Sequence, residues 1–223
     1  MHDQVNASVI ARKLQRVRCM PQLYAVTKEA NAALRAEPAE RVLEVACALL
    51  EGGHYERLGA WEVVARHRPT LDALTIRSVE ALAGGLYDWY ETDHFGVRVA
   101  GPVWLRRGLT QATVRRWARS KDRWWRRLAL VACVPLGRAG GRTQDVLDIC
   151  DRLVDDRDDM VVKALSWALR ELVKSDKPAV EQYVRRRDAD LAARVRREVR
   201  RELLTGRKAS AQTVFESAET PDS

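Results

Sequence analysis

The sequence predicts an all-α protein: a right-handed superhelical stack of antiparallel helix pairs with a basic concave face. Three observations carry this. Aliphatic residues and alanine dominate, and the 223 residues hold only 12 Gly, 7 Pro and 2 Phe, a balance that suits helix interiors. Apolar residues recur at three- and four-residue spacing in short segments, and no stretch alternates as a half-buried strand does. Turn chemistry falls between those segments at short intervals.

Taken in order, helices are expected near residues 5–18, 24–35, 39–51, 55–67, 71–83, 86–94, 97–106, 110–119, 122–134, 143–153, 158–174, 178–186 and 188–204. Breaks are expected at Gly52-Gly53, Gly84-Gly85, Gly101-Pro102, Gly137 through Gly141, and Ser175-Asp176-Lys177-Pro178. Three segments resemble one another: those opening at His54, Asp122 and Asp158. Each starts on a polar turn, continues into an apolar stripe and carries one internal cation, Arg57, Arg127 or Lys163. Helix-pair repeats of the HEAT kind tolerate such loose likeness, because each unit needs only to bury one face on its neighbours. Residues 1–205 form one such domain. Residues 206–223, Ser/Thr/Ala-rich with acids at the end, are expected to be a disordered tail.

Charge is unevenly placed. Residues 1–95 carry 11 Lys/Arg against 13 Asp/Glu, whereas residues 96–208 carry 28 against 15. A basic half of this kind implies a polyanionic partner; the alternative is arginine that only solvates helix faces. The four cysteines (Cys19, Cys47, Cys133, Cys150) lack CxxC or Cys/His ligand spacing. They are expected as small core residues in a reducing compartment, with no metal site. No long apolar run opens the chain, so neither a secretory signal nor a membrane span is expected, and the cytoplasm is the expected location.

Three constellations carry possible chemistry. From Asp158, a core stripe of Val161, Ala164, Leu165, Ala168, Leu169 and Leu172 leaves Lys163, Trp167, Arg170 and Lys174 on the opposite face. An indole among three cations suits phosphate and base contact, unless the next repeat covers it. In Leu86–Phe95, Trp89 and Asp93 stand four apart and share a helix face. As chemistry, that pairs a π-surface with a carboxylate for a cationic ligand; as structure, it is a packing helix whose Asp93 caps the next. In Arg119–Arg127, Asp122 is a candidate N-cap, with Arg123 and Arg127 expected on an outer face where they could grip phosphates.

Three of these segments stand in the order and spacing of a known family: Trp89-Tyr-Glu-Thr-Asp93, Trp124-Trp-Arg-Arg127 and Trp167-Ala-Leu-Arg170. On them the chain resembles the DNA alkylation repair glycosylases of the AlkD type, built from HEAT-like repeats, from its first helices to about Leu204. The resemblance implies excision of cationic N3-alkyladenine and N7-alkylguanine from double-stranded DNA by a monomer, without a cofactor and without flipping the base into a pocket. It implies that Trp89 and Trp167 line the cleft as catalytic residues, and that Asp93 stabilises positive charge on the sugar and positions water. Arg127 and Arg170 would hold flanking phosphates, with Lys163, Lys174 and Arg123 as further DNA contacts. A nucleoid-associated cytoplasmic protein would follow. Two other readings remain open: a non-catalytic DNA-binding repeat protein, and a scaffold for an acidic protein partner.

Overall fold

The computed structural model describes residues 6–206, and the expected tail from Arg207 onward lies outside the described residues. In chain order the helices are α1 (Ala7–Leu14), α2 (Met20–Leu34), α3 (Ala39–Leu50), α4 (His54–Arg66), α5 (Arg68–Ala73), α6 (Ile76–Leu82) and α7 (Trp89–Phe95). A π-helical turn, Gly96–Ala100, joins α7 to α8 (Gly101–Leu105). Then follow α9 (Gln111–Ala118), α10 (Arg123–Val131), α11 (Cys133–Ala139), α12 (Thr143–Arg152), α13 (Asp159–Arg187) and α14 (Ala193–Thr205). No strand occurs among the described residues, and no helix there is long and apolar enough to cross a membrane.

Helix starts follow from side-chain capping. Asn6, Thr75, Asp88, Thr110, Asp122 and Asp158 each accept a hydrogen bond from a backbone N–H in the first turn. That satisfies donors which the helix itself leaves unpaired. Thr75 and Ser78 complete a reciprocal capping box.

The structure is an all-helical repeat stack, and its register is tighter than the sequence suggests. The N-caps of α4, α7, α10, α13 and α14 are Gly53, Asp88, Asp122, Asp158 and Ala192. Successive caps lie 34 to 36 residues apart. Sequence likeness identified α4, α10 and α13 as equivalents; α7 and α14 belong to the same series. Bridges between repeats keep a similar spacing: Arg98 to Glu62, Arg127 to Asp93, Arg138 to Glu171 and Arg187 to Asp151. α10 packs against α7, α9 and α13, and α13 also contacts α11, α12 and α14. Trp61, Phe95, Trp104 and Tyr183 are the largest fully buried side chains.

Several expectations need correction. The break expected at Gly101-Pro102 is a helical continuation: the π turn hands over directly to α8, which carries Pro102 in its first residues. Gly101 is there for space, since a Cβ would lie 2.6 Å from the Pro135 ring. The helix expected at 122–134 ends at Val131, and α11 occupies a stretch read partly as loop. The segment expected as one helix at 71–83 is divided into α5 and α6. Residues 158–174 and 178–186 form one path kinked at Asp176 (φ −149°, ψ 68°), whose carboxylate caps the second half by accepting from Ala179 N. Of the cysteines, Cys133 and Cys150 are buried, with burial raising both thiols, while Cys19 and Cys47 are exposed rather than in the core.

Candidate active site and nucleic-acid interface

Asp88 starts α7 by accepting from Glu91 N at 2.7 Å, while its carbonyl takes the Thr92 hydroxyl at 2.6 Å. This anchored first turn holds Trp89 at the surface, 51% exposed. Tyr90 stacks edge-on against Trp89 with centroids 5.4 Å apart, and His54 lies 5.5 Å from Tyr90 and 5.4 Å from Tyr55. An aromatic surface therefore extends from Trp89 onto α4, in the half of the chain that lacks net positive charge.

One turn beyond Trp89, Asp93 points into the seam between α7 and α10. The helix runs on through Gly96, so Asp93 caps nothing. Instead, Arg127 Nε and Nη2 donate to its two carboxylate oxygens at 2.8 and 2.7 Å. The third guanidinium nitrogen donates to the Met160 carbonyl in the first turn of α13. Arg127 thus joins three consecutive repeats through one planar fork. Its side chain is 6% exposed and that of Asp93 19%. Burial raises the Asp93 carboxyl above the ordinary carboxylate range, and the paired guanidinium acts in the opposite sense.

The outer face expected for Arg123 and Arg127 together does not exist. Arg123 is exposed and pairs with Asp158 at 3.3 Å, whereas Arg127 is covered because α7 and α13 flank α10 on both sides.

On α13, Trp167 Nε1 donates to Glu171 at 3.2 Å. Glu171 also accepts from Arg138 at 3.0 Å and Lys174 at 2.8 Å. Burial raises this carboxyl, but bonds from Arg138 and Lys174 outweigh it and hold it at about 2. Trp167, Arg170 and Lys174 come together with Glu171, Glu202 and Gly206 around a cleft of about 330 Å³. Arg170 faces Ser166 Oγ at 3.4 Å and Glu198 at 3.9 Å, and Lys163 pairs with Asp159 at 2.5 Å. Each of the five cations singled out by sequence thus has an acid beside it. The exposed pairs of Arg123, Lys163 and Lys174 exchange partners at little cost. Arg127 and Arg170 sit deeper and are held in place.

Two features escaped the sequence reading. Beneath α7, the fully buried Glu62 accepts from Arg98 at 2.6 and 3.0 Å and from Arg66 at 2.9 Å, with His94 Nε2 3.2 Å away. Burial raises its carboxyl, but these partners pull it down to about 2. His94 follows Asp93 directly, and Arg98 lies in the π turn, so the cluster fixes the segment that carries Asp93. Its signal was a lone acid inside the apolar run Trp61-Glu62-Val63-Val64. The second is the register of Arg197, one of the cations crowded between Tyr183 and Arg201 that the sequence already marks as further backbone-contact surface. Asp93, Arg127, Lys163 and Arg197 each fall five residues after an N-cap in the repeat series, and Arg197 is exposed, with no ion pair among the described residues.

Among the described residues, no group of three His, Cys, Asp or Glu could hold a metal ion. Comparison with curated proteins gives no match. A family model described as DNA alkylation repair enzyme matches residues 19–203, a span that includes Trp89, Asp93, Arg127 and Trp167. With most of its length inside that match, the chain belongs to the DNA alkylation repair enzyme family.

Proposed function

We propose that the protein is a DNA glycosylase that removes cationic alkylpurines, N3-alkyladenine and N7-alkylguanine, from duplex DNA. The observation that carries this reading is the Asp93 carboxylate, recessed but not sealed, held by both oxygens one turn behind the exposed Trp89 ring.

The chemistry asks for little else. Alkylation at N3 or N7 leaves the purine positively charged, so cleavage of the C1′–N9 bond sends its electron pair onto a ring that becomes neutral. Positive charge then develops on the deoxyribose, and water adds to C1′ and releases a proton. A carboxylate beside the sugar stabilises that charge and aligns the water, and an aromatic face adds cation–π attraction. In this reading Asp93 serves the first role and Trp89 the second, with Trp167 completing the cleft. Arg127 aims Asp93 and offsets the cost of burying its charge, and its reach toward DNA is limited to what the seam exposes. Arg170, Lys163, Lys174, Arg123 and Arg197 supply phosphate contacts. The aromatic surface around Trp89 supports action on a base that stays in the stack, with the sugar approached from outside. The protein acts as a monomer in the cytoplasm, associated with the nucleoid through DNA.

The test is release of 7-methylguanine and 3-methyladenine from methylated duplex DNA by the wild type and by Asp93→Asn. Excision in the variant is expected to fall about 10²–10³-fold while DNA affinity persists. Wild-type protein that binds duplex tightly but releases no base would instead assign the Asp93–Arg127 pair a purely structural role in a non-catalytic DNA binder.

A further inference from the structure

At the far end of the helical path that begins with Trp89, α8 closes in an unusual way. Arg107 adopts the left-handed conformation (φ 68°), the one non-glycine residue among those described to do so. Its N–H donates to Trp104 O at 3.0 Å, and Gly108 N donates to Val103 O at 2.9 Å. This is the αL helix stop at which glycine is the usual residue, because a Cβ is disfavoured there. Glycine stands one place later instead, where a Cβ would come within 2.7 Å of Val103 Cγ1. An arginine therefore occupies a backbone position that disfavours it.

Arg107 lines a cleft of about 570 Å³ with Arg68, Leu71, Asp72, Val103, Arg106 and Gly108. Leu71 and Val103 are buried and form an apolar floor. Among the described residues Asp72 is the sole acid in the lining, and it is shared: Arg68 Nε donates to one oxygen at 2.5 Å and Arg106 Nε lies 3.4 Å from the other. Arg107 is exposed and makes no ion pair among the described residues. Three guanidiniums against one carboxylate leave a local surplus of positive charge, set in a concavity that focuses the potential. The helical path from Asp93 to its end at Leu105, two residues before Arg107, is about 18 Å of rise. The cleft is therefore distinct from the site described above.

We propose that this cleft is a second binding site, for a phosphate group, with Arg107 as its principal donor and Arg68 and Arg106 beside it. The phosphate belongs either to a duplex backbone or to a free phosphoanion. Backbone strain retained at an exposed arginine, in a concavity already rich in arginine, is what binding explains and packing does not.

Two variants keep the fold intact and move binding in opposite directions. Arg107→Gly restores the favoured residue to the αL position and should raise Tm by about 2–4 °C. Asp72→Asn removes the competing carboxylate. Affinity of each protein is measured for undamaged duplex across salt concentrations and, separately, for inorganic phosphate by calorimetry. If the duplex is the source, Arg107→Gly lowers the salt slope by about 1, and Asp72→Asn strengthens binding. If a free phosphoanion is the source, phosphate affinity falls severalfold in Arg107→Gly and rises in Asp72→Asn, with the duplex slope unchanged. The phosphate measurement does not depend on DNA binding, so its failure is separable from failure of the glycosylase reading. A higher Tm for Arg107→Gly with neither affinity altered would overturn the proposal and leave Arg107 as a strained helix end only.

Discussion

Arg127 grips both oxygens of Asp93 and, with its remaining nitrogen, the carbonyl of Met160, so one side chain ties α7, α10 and α13 together. Removing it isolates a recessed carboxylate. Arg127→Ala should cost about 3–5 kcal/mol in urea unfolding, the usual cost of orphaning one partner of a buried pair. Arg127→Lys keeps the charge but not the fork; excision should still fall about tenfold or more, because Asp93 is no longer held in one orientation. Wild-type excision by Arg127→Lys would count against a positioning role.

Trp89 is half exposed and contributes little to the core. Trp89→Ala should leave Tm within about 2 °C of the wild type while excision drops by at least tenfold, and Trp89→Phe should recover part of it. A large fall in Tm would reassign the ring to packing.

Acid stability should report on Glu62. Its carboxyl titrates at about 2 in the folded protein against an ordinary 4.5. The folded state thus binds its proton less readily than the unfolded chain. The stability it contributes is present above about pH 4.5 and is lost as pH falls toward 2. On that linkage the loss amounts to about 3 kcal/mol. Glu62→Gln should be less stable at neutral pH and show a shallower acid limb, measured as urea midpoint against pH. A limb as steep as that of the wild type would mean that other carboxylates dominate it, Glu171 and Asp148 first, since both are also held at about 2.

Along the repeat series, Lys163 and Arg197 occupy equivalent positions on α13 and α14. Each alanine variant should weaken duplex binding uniformly across sequences and reduce the salt slope by about 1. An unchanged slope for Arg197→Ala would place the end of the DNA-binding face before α14.

The helices and much of the site were legible because their causes are local. Asp122 and Asp158 announce helix starts, and Trp89 and Asp93 share a face by spacing alone. What was missed depends on covering layers. Arg127 reads as an outward cation until α7 and α13 close over α10. Glu62 reads as an interruption in an apolar run until His94 and Arg98 close over it from the next repeat, beside Arg66 one turn along its own helix. Gly101 reads as a break, because nothing in the sequence says that Pro135 will press against it. The full repeat register also stayed hidden: α7 opens on Trp89-Tyr90 where α10 and α13 open on Arg123 and Asp159, and α14 has almost no apolar opening.

In a stack bound mainly through neighbouring units, the terminal units fray first and each opening must pass through the next seam. The joint made by Asp93, Arg127 and Met160 lies well inside the series, spanning α7, α10 and α13. Amides around it should therefore exchange with solvent more slowly than those of α1 or α14. The rigidity a fixed carboxylate needs is thus supplied by position along the stack, and a loosening of either end would reach the chemistry last.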